Sequence, residues 1–208
     1  MNNSKTFFKF TILSFLLFSF SSCMTSHESL LSQLYGPIFS DQPISRQIYA
    51  KPTKDENQLL KFFISKCPSE NYLKAKKIAK IYIEECAIEG INSDVAFVQM
   101  CLETNFLRYG NLVKKEWNNF CGLGAIDKNN PGLKFDTMRL GVRAHVQHLH
   151  AYATTSDILL KQELIDPRYK YVNPRGKSPD IFGLSGTWAS DKQYSEKLER
   201  FLQALEQF

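Results

Sequence analysis

Glu103 closes the run Ser93-Asp94-Val95-Ala96-Phe97-Val98-Gln99-Met100-Cys101-Leu102-Glu103, which opens on Asn92 or Ser93, side chains suited to capping a helix N-terminus. A helix this poor in charge must be buried. Its acid sits in the last turn, at the negative end of the helix dipole, where a cation would be favoured. Burial and dipole both disfavour the ionised form and so raise the carboxyl pKa. That is the condition for holding a proton near neutral pH and donating it as a general acid. The competing role is a solvent-exposed Glu where the helix emerges.

Other side chains offer binding chemistry. Asn119-Phe120-Cys121-Gly122-Leu123-Gly124 combines glycines, which let a backbone approach closely, with an amide and an aromatic, as the floor of a polymer-binding cleft requires. A phosphate loop is excluded by context, because no strand precedes the segment and the Lys-Ser/Thr pair is missing. Tyr109, Trp188 and Tyr194 present rings on which the C–H faces of sugars can stack, although such rings more often fill cores. His145, His148 and His150 share one helix. Helical zinc sites use i,i+4 pairs with a third ligand, and no acidic or cysteine partner is identifiable, so neither a metal nor another cofactor is expected. His148 remains a candidate for approaching the groove.

Four ordered blocks carry a resemblance. Leu102-Glu103-Thr104-Asn105-Phe106 and Asn118-Asn119-Phe120-Cys121-Gly122-Leu123-Gly124-Ala125 come first. Phe135 with Gly141-Val142-Arg143-Ala144-His145-Val146-Gln147-His148-Leu149, and Trp188-Ala189-Ser190-Asp191-Lys192-Gln193-Tyr194, follow. Together they resemble the glucosaminidase family of peptidoglycan hydrolases, glycoside hydrolase family 73. The resemblance implies a lysozyme-like fold, Glu103 as general acid, and a groove for glycan strands built from Phe106, Tyr109, Asn119, Phe120, Gly122, His148, Trp188 and Tyr194. Two positions depart from the family pattern: Cys121 stands where Phe is common, and Trp188 where a Tyr is usual. Asp191 matches the family's Asp and suits a cap on the final helix. Glycosidases commonly use a second carboxylate. Asp127 and Asp136 fall where the family's second acid would lie, and the alternative is a substrate whose own acetamido group replaces it. Cleavage on the muramic acid side, as a muramidase or lytic transglycosylase, and an inactive wall-binding lipoprotein are the competing functions.

The elements that must position these residues follow from the rest of the chain. With 208 residues and 43% hydrophobic content, there is enough chain for one domain with its own core. The formal charge of +5, two units of it on Lys5 and Lys9, is too small to suggest nucleic acid. Those lysines precede an apolar run from Phe10 to Phe20, too short to span a bilayer and of the length of a signal-peptide core. Ser21-Ser22-Cys23 then resembles a lipobox, in which Cys23 is acylated and anchors the chain to a membrane, although Phe20 stands where Leu is usual. Residues 1–22 therefore read as a signal peptide and 23–53 as lipid attachment and tether. At ~30 residues, such a tether has a span of roughly 30 Å if flexible and about 100 Å if extended. Residues 54–208 read as the glucosaminidase domain of an exported protein facing the periplasm or cell wall. Cys67, Cys86, Cys101 and Cys121 allow three pairings, and each is equally suited to be a small buried hydrophobe.

Within that domain the helical period dominates. Leu59, Leu60 and Phe63 form one stripe; Leu73, Ile78, Ile81, Tyr82 and Cys86 form another, stopped by Gly90. Helices are also expected from about Arg139 to Ala153 and from Gln193 to Leu205, the last with Tyr194, Leu198, Phe201, Leu202 and Leu205 inward. Asn129-Asn130-Pro131-Gly132 suits the turn of a short hairpin between Leu123 and Phe135. The fold class is mainly α (α+β) with one small β-hairpin element, and the lysozyme-like fold is what the resemblance implies for it.

Overall fold

Among the described residues five α-helices carry the fold: α1 (Glu56–Lys66), α2 (Tyr72–Glu89), α3 (Ser93–Glu103), α4 (Met138–Ala153) and α5 (Tyr194–Leu205). The computed structural model describes residues 43–68, 72–110 and 112–208, so the leader and Cys23 lie outside the described residues. No described helix is long and apolar enough to cross a membrane.

Local chemistry sets the helix ends. Asp55 and Gln58 form a capping box at the start of α1, each side chain accepting the other's backbone N–H. α2 stops at Gly90, whose φ of +75° closes the turn, and Asn92 then caps α3 by accepting from the N–H of Asp94. α3 is buried from Ser93 through Cys101 and packs against the other four helices, which explains its lack of a polar face. α2 lies along α4, and α5 covers α3 with Leu198, Leu202 and Leu205 fully buried.

Three expectations need correction. Leu73 was placed on the inward stripe of α2, but it is 79% exposed; the buried face runs through Ala75, Ile78, Ala79, Tyr82 and Cys86 instead, on the side of the helix opposite Leu73. The hairpin between Leu123 and Phe135 reduces to an isolated antiparallel bridge, Ala125 with Pro131, because the Asn-rich turn spends its hydrogen bonds on itself. The stretch read as tether up to residue 53 does not behave as one from Pro43 on. Ile44 and Ile48 are buried, Ile48 pairs with Pro179 and Asn92, and Thr53 and Lys54 donate backbone N–H groups to the buried carboxylate of Asp94. Arg46 adds a forked ion pair to Glu199 and a second contact to Glu206 at the end of α5.

Candidate active site

Glu103 ends α3, and the chain leaves it by an unusual path. Asn105, Phe106, Leu107 and Tyr109 all adopt left-handed backbone, which is costly for residues with bulky side chains. Thr104 holds the bend, donating to Met100 O and accepting from Leu107 N–H at 2.9 Å. Phe106 is pinned in the core among Phe62, Phe63 and Phe201, with ring centroids 5.4–5.9 Å apart. Its burial offsets the strain and turns Tyr109 back toward the end of α3.

Two further segments converge on Glu103. The loop at Asn118–Gly124 is tied together by Asn119: its amide N–H groups donate to Leu123 O and Leu133 O, and its carbonyl accepts from Leu123 N–H at 2.9 Å. Gly122 in this loop has φ +66°, and a Cβ built there would lie 3.8 Å from Glu103 Oε2. The turn carrying Trp188 is held by Tyr152, which donates to Thr187 O, and is joined to α5 through Ser185 and Ser195. Trp188 Nε1–H donates to Glu103 Oε1 at 2.9 Å, and the Tyr194 hydroxyl makes a short bond to the same oxygen. Burial pushes the Glu103 carboxyl above the usual carboxylate range, and these two donors draw it part of the way back.

A cavity of about 610 Å³ opens on Glu103, within the range of ligand sites. Tyr109, Leu112, Val113, Gly122, Ala125 and Trp188 are among its walls, and Glu103 is the sole carboxylate of its described lining. A second cavity, of about 280 Å³, shares Cys121, Gly122, Ala125 and Trp188 with the first and continues past His148, Tyr152 and Arg168. His148 Nδ1 bonds the fully buried Asp166 at 2.7 Å, and its ring packs edge-on against Trp188.

Several residues read from sequence as groove contacts offer it no free side chain. Phe106 and Phe120 are core residues, drawn inward because their volume fills the space between helices. Asn119 touches the cavity, but its amide is used up inside its own loop. Tyr194 is buried and offers no face to a sugar; its hydroxyl, not its ring, serves the site. Asp127 is exposed, holds the N–H groups of Asn129 and Asn130 at 2.8 Å, and is kept below its ordinary pKa by them. Asp136, also exposed, lines a separate depression with Lys77 and Lys80. Neither stands in the described lining of the Glu103 cavity. Asp191 bonds the N–H of Gln193 just ahead of α5 and the Lys197 ammonium.

The histidines of α4 go to separate partners: His145 to Tyr82 and Gln99, His148 to Asp166, His150 to Tyr169 and Thr154. Among the described residues no group of three His, Cys, Asp or Glu side chains could hold a metal ion. The described cysteines, Cys67, Cys86, Cys101 and Cys121, are buried free thiols, and burial pushes the thiols of Cys86, Cys101 and Cys121 up. Sequence reading gave Gln99 no role and set His145 aside with the other histidines. Their signal was present in one respect: Gln99 is the one neutral amide inside the buried run of α3.

Residues 79–207, more than half of the chain, match the family model named Glucosaminidase and described as mannosyl-glycoprotein endo-beta-N-acetylglucosaminidase. A protein of Borreliella burgdorferi described as uncharacterized is 43% identical over 133 residues, covering 64% of this chain. The matched segment spans 63% of that relative's length. No solved structure matches.

Proposed function

This chain belongs to the glucosaminidase family, and on that footing we propose that it cleaves the β-1,4 glycan strand of peptidoglycan after N-acetylglucosamine, with Glu103 as general acid. The observation that carries this reading is the setting of Glu103: a carboxyl raised by burial, open to a cavity of ligand size, with two donors aimed at one of its oxygens. A proton passes from Glu103 to the leaving oxygen as the bond to the anomeric carbon breaks. Because Glu103 is the sole carboxylate of the described lining, the acetamido carbonyl oxygen of the substrate attacks that carbon and forms a cyclic oxazolinium. Water then opens the ring, giving one proton to the Glu103 carboxylate and restoring the acid, with configuration retained. Trp188 in place of the family's usual Tyr still offers Glu103 a donor, which favours an active enzyme over a silent wall-binder.

Digestion of purified peptidoglycan followed by mass spectrometry of the fragments tests this. N-acetylglucosamine reducing ends are expected. Muramic acid reducing ends would mean a muramidase, anhydromuramic ends a lytic transglycosylase, and undigested strands a binding protein. Glu103→Gln should lower the rate at least ~100-fold, the ordinary contribution of a general acid.

We further propose export and lipid anchoring at Cys23, on the Lys5 and Lys9 flank, the apolar run and Ser21-Ser22-Cys23. The mature protein should enter the detergent phase on partitioning, and Cys23→Ala should release it or leave it unprocessed. A mature wild-type protein found in the aqueous phase would reject the anchor.

A further inference from the structure

Behind Glu103 runs an unbroken line of buried hydrogen bonds that cleavage chemistry alone does not require. Tyr194, whose hydroxyl bonds Glu103 Oε1, accepts from Gln99 Nε2 at 2.9 Å. The Gln99 carbonyl faces His145 Nε2 at 3.0 Å, and His145 Nδ1 faces the Tyr82 hydroxyl at 2.8 Å. The line joins α5, α3, α4 and α2, and Tyr82, Gln99 and His145 are completely buried.

Such a line has two possible directions, and its far end selects one. If every donor points toward Glu103, Tyr82 O–H donates to Nδ1, His145 Nε2–H to Gln99, Gln99 N–H to Tyr194, and Tyr194 O–H to the carboxyl. Reversed, His145 would carry its proton on Nδ1 and donate to Tyr82, whose own O–H has no other acceptor among the described residues. A buried hydroxyl proton without an acceptor is disfavoured, so Tyr82 locks the line in the forward sense. His145 remains in the neutral state that this requires, because burial holds its pKa down at about 3.

We propose that Tyr82, His145 and Gln99 are positioning residues that hold the Tyr194 hydroxyl as a donor to Glu103 Oε1, leaving Oε2, the oxygen toward Gly122, to carry and deliver the catalytic proton. This rests on Glu103 being the acid. Oε1 already receives Trp188 Nε1–H and Tyr194 O–H, which crowds it against protonation. Oε2 is the oxygen nearer Gly122 on the cavity wall. The titratable groups facing the line from neighbouring elements are His148, Tyr109 and the thiols of Cys86, Cys101 and Cys121. Burial keeps those three thiols protonated, so they contribute no charge change in the acidic range.

The test reads Glu103 directly, by carbon-13 NMR titration of its carboxyl in the full chain, assigned with Glu103→Gln. Tyr194→Phe should raise the midpoint, since a donor to the ionised form is lost. Tyr82→Phe, two helices away, should raise it by about half a unit or more in the same direction. The double variant should go no further than Tyr194→Phe, because the coupling runs through that hydroxyl. A merely structural Tyr82 would lower Tm and leave the midpoint where it was; that result, additive shifts, or no shift in Tyr194→Phe would each overturn the proposal. Nitrogen-15 NMR of the wild-type chain supplies a check independent of any variant: His145 should be protonated on Nε2 and bare on Nδ1, and the opposite tautomer would overturn it. Failure of the glycan-cleavage reading shows separately, as wall digestion that survives Glu103→Gln.

Discussion

Glu103 is held between burial, which favours its acid form, and two donors, which favour its anion. Trp188→Phe removes one donor while keeping an aromatic ring in place. The alkaline limb of the pH–rate profile should then move up by about one unit, with the rate at neutral pH changed far less than by Glu103→Gln. The same balance sets a sign for stability. A carboxyl whose folded pKa lies above its unfolded value stabilises the fold below the unfolded value, and loses that contribution as pH rises through the folded one. Glu103→Gln should therefore raise Tm at pH 7, with little change at pH 4, measurable by thermal denaturation at both. At this scale the raised pKa of Glu103 was legible, because a carboxylate in the last turn of a buried helix whose other charge, Asp94, sits in the first turn conflicts with local preference. Its support was not legible: Gln99 meets Tyr194 across 95 positions and His145 across 46, and pairings so distant leave no local pattern. Phe106 and Phe120 misled for the complementary reason, since an aromatic beside a motif looks the same whether it faces a sugar or a core.

Helix α4 shows how an element's surroundings can reverse an ordinary rule. Gly→Ala inside a helix usually stabilises by about 1 kcal/mol. A Cβ at Gly141, however, would stand 1.7 Å from the carbonyl oxygen of Asn118, where the cavity-floor loop crosses the helix. Gly141→Ala should cost about 2 kcal/mol or more and displace the floor loop, lowering Tm and activity together. The same helix carries His145 and His150, held by burial at about 3 and about 4. Both must stay neutral in the fold while the unfolded chain takes up protons below pH ~6.5. Their contribution is complete above that value and declines as pH falls toward the folded values, so Tm should drop steadily over this window. His150→Gln should flatten the slope. Helix positions were readable from apolar periodicity and caps, as at Asn92 and Gly90; the outward place of Leu73 on α2 was not, because an apolar residue in a first turn looks like part of the stripe until its angle from Ile78, Tyr82 and Cys86 is counted.

At the scale of the molecule, the boundary before residue 54 was drawn from composition, and composition does not report what a short polar segment packs against. Ile44 and Ile48 stand in the short stretch Pro43-Ile44-Ser45-Arg46-Gln47-Ile48-Tyr49-Ala50, too brief to form a pattern, yet both are buried. A chain of residues 43–208 should melt well above one of residues 54–208, the difference reflecting roughly 1.5–3 kcal/mol for each buried isoleucine, with equal Tm values refuting that role. The Arg46 contacts to Glu199 and Glu206 also have a mechanical meaning. Tension applied through residues ahead of 43 meets this clasp first and passes into α5 at its middle, through Glu199, and at its C-cap, through Glu206, whereas Tyr194 and its bond to Glu103 belong to the N-terminal end of the same helix. Under the anchoring and wall binding proposed above, load would thus enter the C-terminal half of one helix, with the bond to Glu103 at its other end.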